Sequence, residues 1–344
     1  METVFGIDYN TLWFMVLGAV FTGYAILDGF DLGAGALHLL IKKDENRRIA
    51  LNAIGPVWDG NEVWLVIGGG ALFAGFPIVY ASLFSAFYIP FMLFLVFLIF
   101  RAASIEFRSK EKMKWWRNSW DIAYSFSSIL LALLLGVVLG NVLQGMPLNA
   151  NFEYEGSWLS FINPFALLVA ITTLALFTMH GAIYLVMKTE GRLFNKFSYF
   201  VQKTTIAFVL MFVLLSFYTL LYEPQLTVKF KDYPLLFTIP LLVVLSIAAI
   251  TRYVAKAKYF RAFIFSGITI SLLLILSAIN LYPNIIVSTG DAANSLTVYN
   301  AASSQKSLGI MLLMAAIGTP LAAFYSLFVF WTFRGKVKID EHSY

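Results

Sequence analysis

The sequence predicts an all-α, polytopic membrane protein with nine transmembrane helices. Three observations carry that prediction. The chain of 344 residues is 60% hydrophobic and only 12% charged, against about 25% charged in a typical soluble domain; its mean hydropathy is +0.80. Nine apolar runs reach the roughly 20 residues that cross a bilayer. The loops between them alternate between strongly basic and nearly free of cations. The absence of cysteine excludes a disulfide frame, a thiolate metal site and a redox thiol.

The runs fall roughly at 10–39, 51–75, 77–107, 118–142, 161–187, 198–222, 235–253, 259–282 and 305–333. The first has no Lys or Arg before it and no small-residue cleavage site after it, so it reads as a retained helix rather than a signal peptide. The third is long enough to tilt. No loop is long enough for a soluble domain, so residues 1–344 read as one transmembrane domain. The two longest loops, near 144–160 and 283–304, are rich in Asn, Gly, Ser and Pro, as turns require. Trp13, Trp58, Trp115, Trp116, Trp120, Trp158 and Trp331 lie near predicted span ends, where interfacial anchors belong.

Loop charge sets the orientation. Lys42, Lys43, Arg47 and Arg48 follow the first run, and Arg108, Lys110, Lys112, Lys114 and Arg117 follow the third. Lys188, Arg192, Lys196 and Lys203 follow the fifth, and Arg252, Lys256, Lys258 and Arg261 the seventh. The tail adds Arg334, Lys336 and Lys338. The other loops hold only Lys229, Lys231 and Lys306 against Glu153, Glu155, Glu223 and Asp291. Cytoplasmic loops collect Lys and Arg, so the N-terminus is expected outside and the C-terminus in the cytoplasm, as nine spans require.

At one level in the first three apolar runs stand four acids and an arginine. Asp28 and Asp31 are three residues apart in the first run, and Asp59 and Glu62 repeat that spacing in the second, so each pair shares a helix face. At 1.5 Å per residue, Asp31 and Asp59 each lie on the order of 12 Å from the cytoplasmic edge. Arg101, in the third run, falls at a comparable depth. Ionisable groups in hydrocarbon cost a few kcal/mol each and mark function by default. Four carboxylates beside one guanidinium cannot all be ionised cheaply, and a mixture of protonated and ionised acids is what a proton relay needs. The bland alternative is helix glue, and Gly29-x-x-x-Gly33 with Gly68-Gly69-Gly70 shows that close helix packing is also written in. His38 lies two turns beyond Asp31, either as the mouth of such a relay or as a surface group favoured by the helix dipole. His180, alone in the fifth run, reads as a polar packing residue before a haem ligand. His342, in the tail, is uninformative. No phosphate-binding glycine loop, zinc spacing or nucleophile elbow occurs. Chemistry beyond proton movement must come from a partner, and no nucleic acid is implied.

The motifs resemble subunit II of the cytochrome bd-type quinol oxidases over essentially the whole chain. The resemblance rests on Gly23-Tyr24-Ala25-Ile26-Leu27-Asp28-Gly29-Phe30-Asp31-Leu32-Gly33 and on Pro56-Val57-Trp58-Asp59-Gly60-Asn61-Glu62-Val63-Trp64. Shorter matches follow at 69–74, 107–110, 116–118, 140–145 and 163–165. It implies two four-helix bundles plus one extra helix, in a bacterial cell membrane. The enzyme would be a terminal oxidase reducing O2 to water with electrons from quinol. Its haems, of types b and d, and its quinol-oxidising loop would lie in subunit I, the heterodimer partner, with room for a small single-span third subunit. Membrane lipid and quinone are the other implied contacts. Asp59, with Trp58 before it, is implied in a proton path from the cytoplasm, with Asp28 and Asp31 nearby. Glu62 occupies a position that is not always acidic in that family. The competing class is a proton- or Na+-coupled transporter using the same acids; no inverted repeat or pair of matching broken helices supports it.

Overall fold

The computed structural model describes residues 2–338, and His342 lies outside them. Twelve α-helices follow one another: α1 (Tyr9–His38), α2 (Asp44–Ile54), α3 (Trp58–Gly75), α4 (Pro77–Ala86), α5 (Tyr88–Phe107), α6 (Lys114–Gln144), α7 (Pro164–Lys188), α8 (Gly191–Tyr222), α9 (Val228–Asp232), α10 (Thr238–Ala255), α11 (Tyr259–Leu281) and α12 (Gln305–Thr332). Among the described residues eight helices are long and apolar enough to cross a membrane; α3 and α4 make a ninth if the pair, bent by 119°, counts as one span.

The second and third runs differ from expectation. The second does not form one helix from residue 51. Asp44–Ile54 folds as a separate amphipathic helix, α2, and the span restarts at Trp58. The cause is Pro56, which has no N–H to continue the ladder. The third run is not one long tilted helix. Phe87 interrupts it, so that Pro90 falls in the first turn of α5, where a proline is tolerated. Pro77 likewise opens α4 just after the bend.

α1 is the hub, packed against α3, α6, α7, α11 and α12. Its crossing with α7 is backbone to backbone. A Cβ on Gly33 would stand 1.8 Å from the Phe177 carbonyl oxygen, and one on Gly181 2.5 Å from the Ala34 nitrogen. Phe30 fills the space beside the crossing, stacked on Tyr184 at 4.1 Å between ring centroids. Asp8 caps the start of α1 by accepting from the Thr11 amide at 2.9 Å and from its hydroxyl at 2.7 Å. Burial pushes the Asp8 carboxyl up, but these bonds outweigh it and hold the group below its ordinary value.

The end where α1 begins carries a thin layer of loops. A two-stranded ribbon of β1 (Thr3–Val4) and β2 (Ile7–Asp8) lies there, with a second ribbon of β3 (Asn284–Ile286) and β4 (Leu296–Thr297). Asn10 ties the layer down, donating to the Val298 carbonyl at 2.7 Å and accepting from Gln305 at 2.7 Å. The two long loops meet at a bridge between Met146 and Ser288. At this same end Lys229 donates to the carbonyls of Ile279, Asn280 and Tyr282, and burial lowers its pKa. The opposite end carries the basic loops.

Candidate functional site

Arg101 is fully buried in α5 and gathers acids from two other helices. Its Nη2 donates to Asp28 Oδ1 at 2.5 Å and its Nη1 to Asp28 Oδ2 at 3.1 Å. Nη1 also donates to Glu62 Oε1 at 2.7 Å, and Asp31 Oδ2 lies 4.0 Å from Nη2. Asn61 holds Asp31 from α3, donating from Nδ2 to Asp31 Oδ2 at 2.7 Å and to the Leu27 carbonyl at 3.1 Å. Asp28, Asp31 and Arg101 are all 0% exposed. Three carboxylates thus share one guanidinium, and Asp31 Oδ1 and Arg101 Nε are buried with no partner among the described residues. Buried polar atoms left unpaired are rare and point to internal water or to a working role.

A second cluster lies toward the basic end, between α1, α2, α6 and the turn after α5. Asp121 accepts from His38 Nε2, from Arg108 Nε at 2.5 Å and Nη2 at 3.1 Å, and from Arg47 Nη1 at 2.9 Å. Arg108 also donates to Asp44 at 2.7 Å, and Arg117 to the other oxygen of Asp44 at 2.6 Å.

A polar seam between α1 and α6 joins the clusters. Asp31, Gly35 and His38 recur at i, i+4 and i+7 on α1; Asp121, Tyr124 and Ser128 recur at i, i+3 and i+7 on α6. Gly35 lets the helices close: a Cβ there would lie 2.0 Å from Ser128 Oγ and 3.3 Å from Tyr124 Cζ. The Tyr124 ring meets His38 edge-on at 5.0 Å. His38 Nδ1, the Tyr124 hydroxyl and Ser125 Oγ are buried without partners, as is Asp31 Oδ1 at the inner end.

The structure therefore brings together Asp28, Asp31, Glu62 and Arg101, and places His38 at the far end of the seam. It does not bring Asp59 in. With α3 starting at Trp58, Asp59 sits in the first turn, not two turns inside a longer span. It points off the buried stripe Trp58–Asn61–Trp64–Gly68 and is exposed, with no ion pair or hydrogen bond among the described residues. Trp58 packs into the core at 8% exposure rather than standing as a rim anchor. His180 is fully buried, stacked on Phe263 at 4.5 Å, with Nδ1 on Ser266 Oγ at 2.6 Å and Nε2 on the Ile26 carbonyl at 3.1 Å. Both ring nitrogens are engaged within the chain. The sequence reading missed Asp121 and Tyr124. The available signal was an acid inside the fourth apolar run, one residue after Trp120.

Helical spans around a buried acid–arginine cluster, with a polar seam to one face, define a multi-pass membrane protein with ionisable groups inside its bundle. Comparison with known proteins makes that specific. The family model described as cytochrome bd terminal oxidase subunit II matches residues 9–333. The chain is 34% identical to cytochrome bd-I ubiquinol oxidase subunit 2 of Escherichia coli (strain K12), covering 97% of each. It is 33% identical to cytochrome bd ubiquinol oxidase subunit 2 of Bacillus subtilis (strain 168), covering 96% of this chain and 98% of that one. Its fold matches a chain of the bd oxidase from Geobacillus thermodenitrificans with a TM-score of 0.78 at 18% identity, over 94% of this chain and 99% of that chain. The chain belongs to the family of cytochrome bd terminal oxidase subunit II. It is thus a multi-pass membrane subunit of a quinol oxidase, an oxidoreductase complex with haem cofactors and a subunit I partner. The transporter reading is not favoured.

Proposed function

We propose that this subunit supplies part of the route by which the oxidase takes up protons from the cytoplasm. The basic end is the cytoplasmic end on this reading, so the N-terminus is outside and the C-terminus inside. Protons enter at His38 and Asp121, pass the Tyr124 hydroxyl through internal water, and reach Asp31 and the Arg101 cluster. The observation that carries the proposal is the row of buried, unpartnered atoms, His38 Nδ1, Tyr124 OH and Asp31 Oδ1, between two ion clusters. Unpaired donors and acceptors in a row are what bridging waters occupy. Glu62, with a side chain 19% exposed, and Asp59 carry the path to the surface of α3. That surface also exposes Val63 and Val66. A carboxylate turned to lipid is costly, so we assign this face to subunit I.

The haems and the quinol-oxidising site belong in subunit I on this reading, and the engaged nitrogens of His180 support that placement. Bound haem there supplies the oxygen chemistry; this chain's residues hold, orient and pass protons. We further propose two four-helix units, α1, α3, α5 and α6 with α7, α8, α10 and α11, with α12 added against α1 and α3. α1 packs on α3 and α6 within the first unit and α7 on α8 and α11 within the second, while α7 also packs closely on α1 and α6 across the two.

Two substitutions test the path in the purified complex. Asp31→Asn is expected to lower O2 reduction by about tenfold or more while the reduced-minus-oxidised haem spectrum and subunit ratio stay unchanged. Asp59→Asn is expected to lower turnover less, again in a complex that assembles. Full turnover in assembled Asp31→Asn would falsify the path.

A further inference from the structure

A small cleft opens between the first turn of α3 and the last turns of α12, near the basic end. Pro56, Val57, Gly60 and Asn61 form one wall, and Tyr325 and Ser326 the other. Its free volume is about 20 Å³, above the roughly 10–15 Å³ that one water molecule needs. Val329 and Phe330 complete a lining that mixes polar and apolar groups, unlike the apolar groove on the same side of the bundle between Trp13, Trp64 and Met314.

Asn61 connects this cleft to the acid cluster. Its Nδ2 is committed inward, to Leu27 and Asp31. Those two acceptors fix the amide orientation. Its Oδ1 accepts no hydrogen bond from the described residues and is not sealed from the cleft. Across the cleft, Ser326 Oγ accepts from Trp64 Nε1 at 3.4 Å and keeps its own hydrogen free. One wall thus presents an acceptor and the other a donor, in a space sized for water. Gly60 keeps it open. A Cβ there would make only ordinary contact with Tyr325 Cε1, at 3.8 Å, so a methyl fits while a longer side chain fills the gap.

We propose that this cleft is a water site, bonded to Asn61 Oδ1 and Ser326 Oγ, and a lateral port that brings solvent to within one side chain of Asp31. The port rests on the proton-path reading and adds to it a second access, on the α12 side of α1, separate from the seam with α6.

The chain has no cysteine, which gives a direct test. Ser326→Cys is made in the full complex, in membrane vesicles, and exposed to a small water-soluble cationic methanethiosulfonate; labelling is read from the mass of this chain. Only a hydrated thiol ionises and reacts quickly. The reference is Leu327→Cys, whose neighbouring position is 68% exposed on the apolar surface. Ser326→Cys is expected to label at least about tenfold faster than Leu327→Cys, and adding Gly60→Leu to slow it toward that reference. Val329→Cys, also in the cleft lining, serves if Ser326→Cys fails to assemble. Labelling no faster than Leu327→Cys, or unaffected by Gly60→Leu, overturns the port. Normal turnover in Asp31→Asn would instead sink the proton-path reading and leave the labelling as it was, so the two failures are distinct.

Discussion

Arg101 holds three acids, of which Asp28 and Asp31 are fully buried, and its removal should cost more than removal of the acid it grips hardest. Arg101→Met leaves Asp28 buried with its 2.5 and 3.1 Å bonds gone and takes the 2.7 Å bond from Glu62. Two charges about 4 Å apart at an effective dielectric near 20 attract by about 4 kcal/mol. Breaking buried pairs from one side costs about 3–5 kcal/mol in practice. Both routes put Arg101→Met near 4 kcal/mol. Asp28→Asn is different. Arg101 keeps Glu62 at 2.7 Å and has Asp31 at 4.0 Å to turn to, so the loss should be about 1–3 kcal/mol, the scale of a hydrogen bond to a charged group. In the double variant the two losses should fall short of their sum by about 2 kcal/mol, because each single change already removes the shared contact. The assay is denaturant or thermal unfolding of the purified complex, followed by loss of subunit association. Equal single costs, or additivity within about 0.5 kcal/mol, would show that the guanidinium is not the hub of this cluster.

Three further outcomes follow from the same geometry. Asp121→Asn should destabilise the complex by about 3 kcal/mol, since Arg108, at 1% exposure, loses its buried counterion; retained stability in the same unfolding assay would refute that account. Gly33→Ala should cost about 3 kcal/mol or more, because its methyl meets the Phe177 carbonyl at 1.8 Å; the reading is the yield of assembled complex, and a normal yield argues against the close crossing. Asp8→Ala should cost about 1 kcal/mol at neutral pH. The folded-state pKa of Asp8 is lowered, so the cap contributes fully above the unfolded value near 3.9 and is lost as pH falls through the lowered folded value; the deficit should therefore vanish in acid, and a deficit that persists well below pH 3 would contradict the assignment.

The acids and Arg101 were legible because depth along a helix is a count, and a wrong boundary shifts it only slightly. Asp28, Asp31 and Arg101 lie in helices whose basic ends were placed to within one residue of His38 and Phe107. Asp59 was misplaced because Pro56 was read through, which moved the start of the span seven residues toward the loop. That error changed the meaning of Asp59: a residue in a first turn, off the buried stripe, needs no buried partner. Asp121 was hidden for the opposite reason. A lone acid near a span end, surrounded in sequence by Lys and Arg, reads as a solvated group. Its partners come from residues 38, 47 and 108, and no local pattern announces that convergence. The bend between α3 and α4 was legible at Pro77, where the second and third runs part, whereas the break at Phe87 was not, because hydropathy runs straight through it.

The two clusters differ in the sign of their excess charge, and the difference has a direction. The inner one sets Asp28, Asp31 and Glu62 against Arg101, three acids to one cation. The outer one sets Asp44 and Asp121 against Arg47, Arg108 and Arg117, two acids to three cations, with His38 counted neutral. A proton moving inward along the α1–α6 seam leaves a region with surplus positive charge and arrives where it offsets surplus negative charge. In a low-dielectric interior such differences act over several ångströms with little screening. The crossing at Gly33 and Gly181 locks α1 against α7, and Asp28 and Asp31 on α1 are fully buried. On the proposed proton path, a proton delivered to the inner cluster offsets that surplus negative charge, which is why the path runs toward Asp31 and Arg101 rather than away from them.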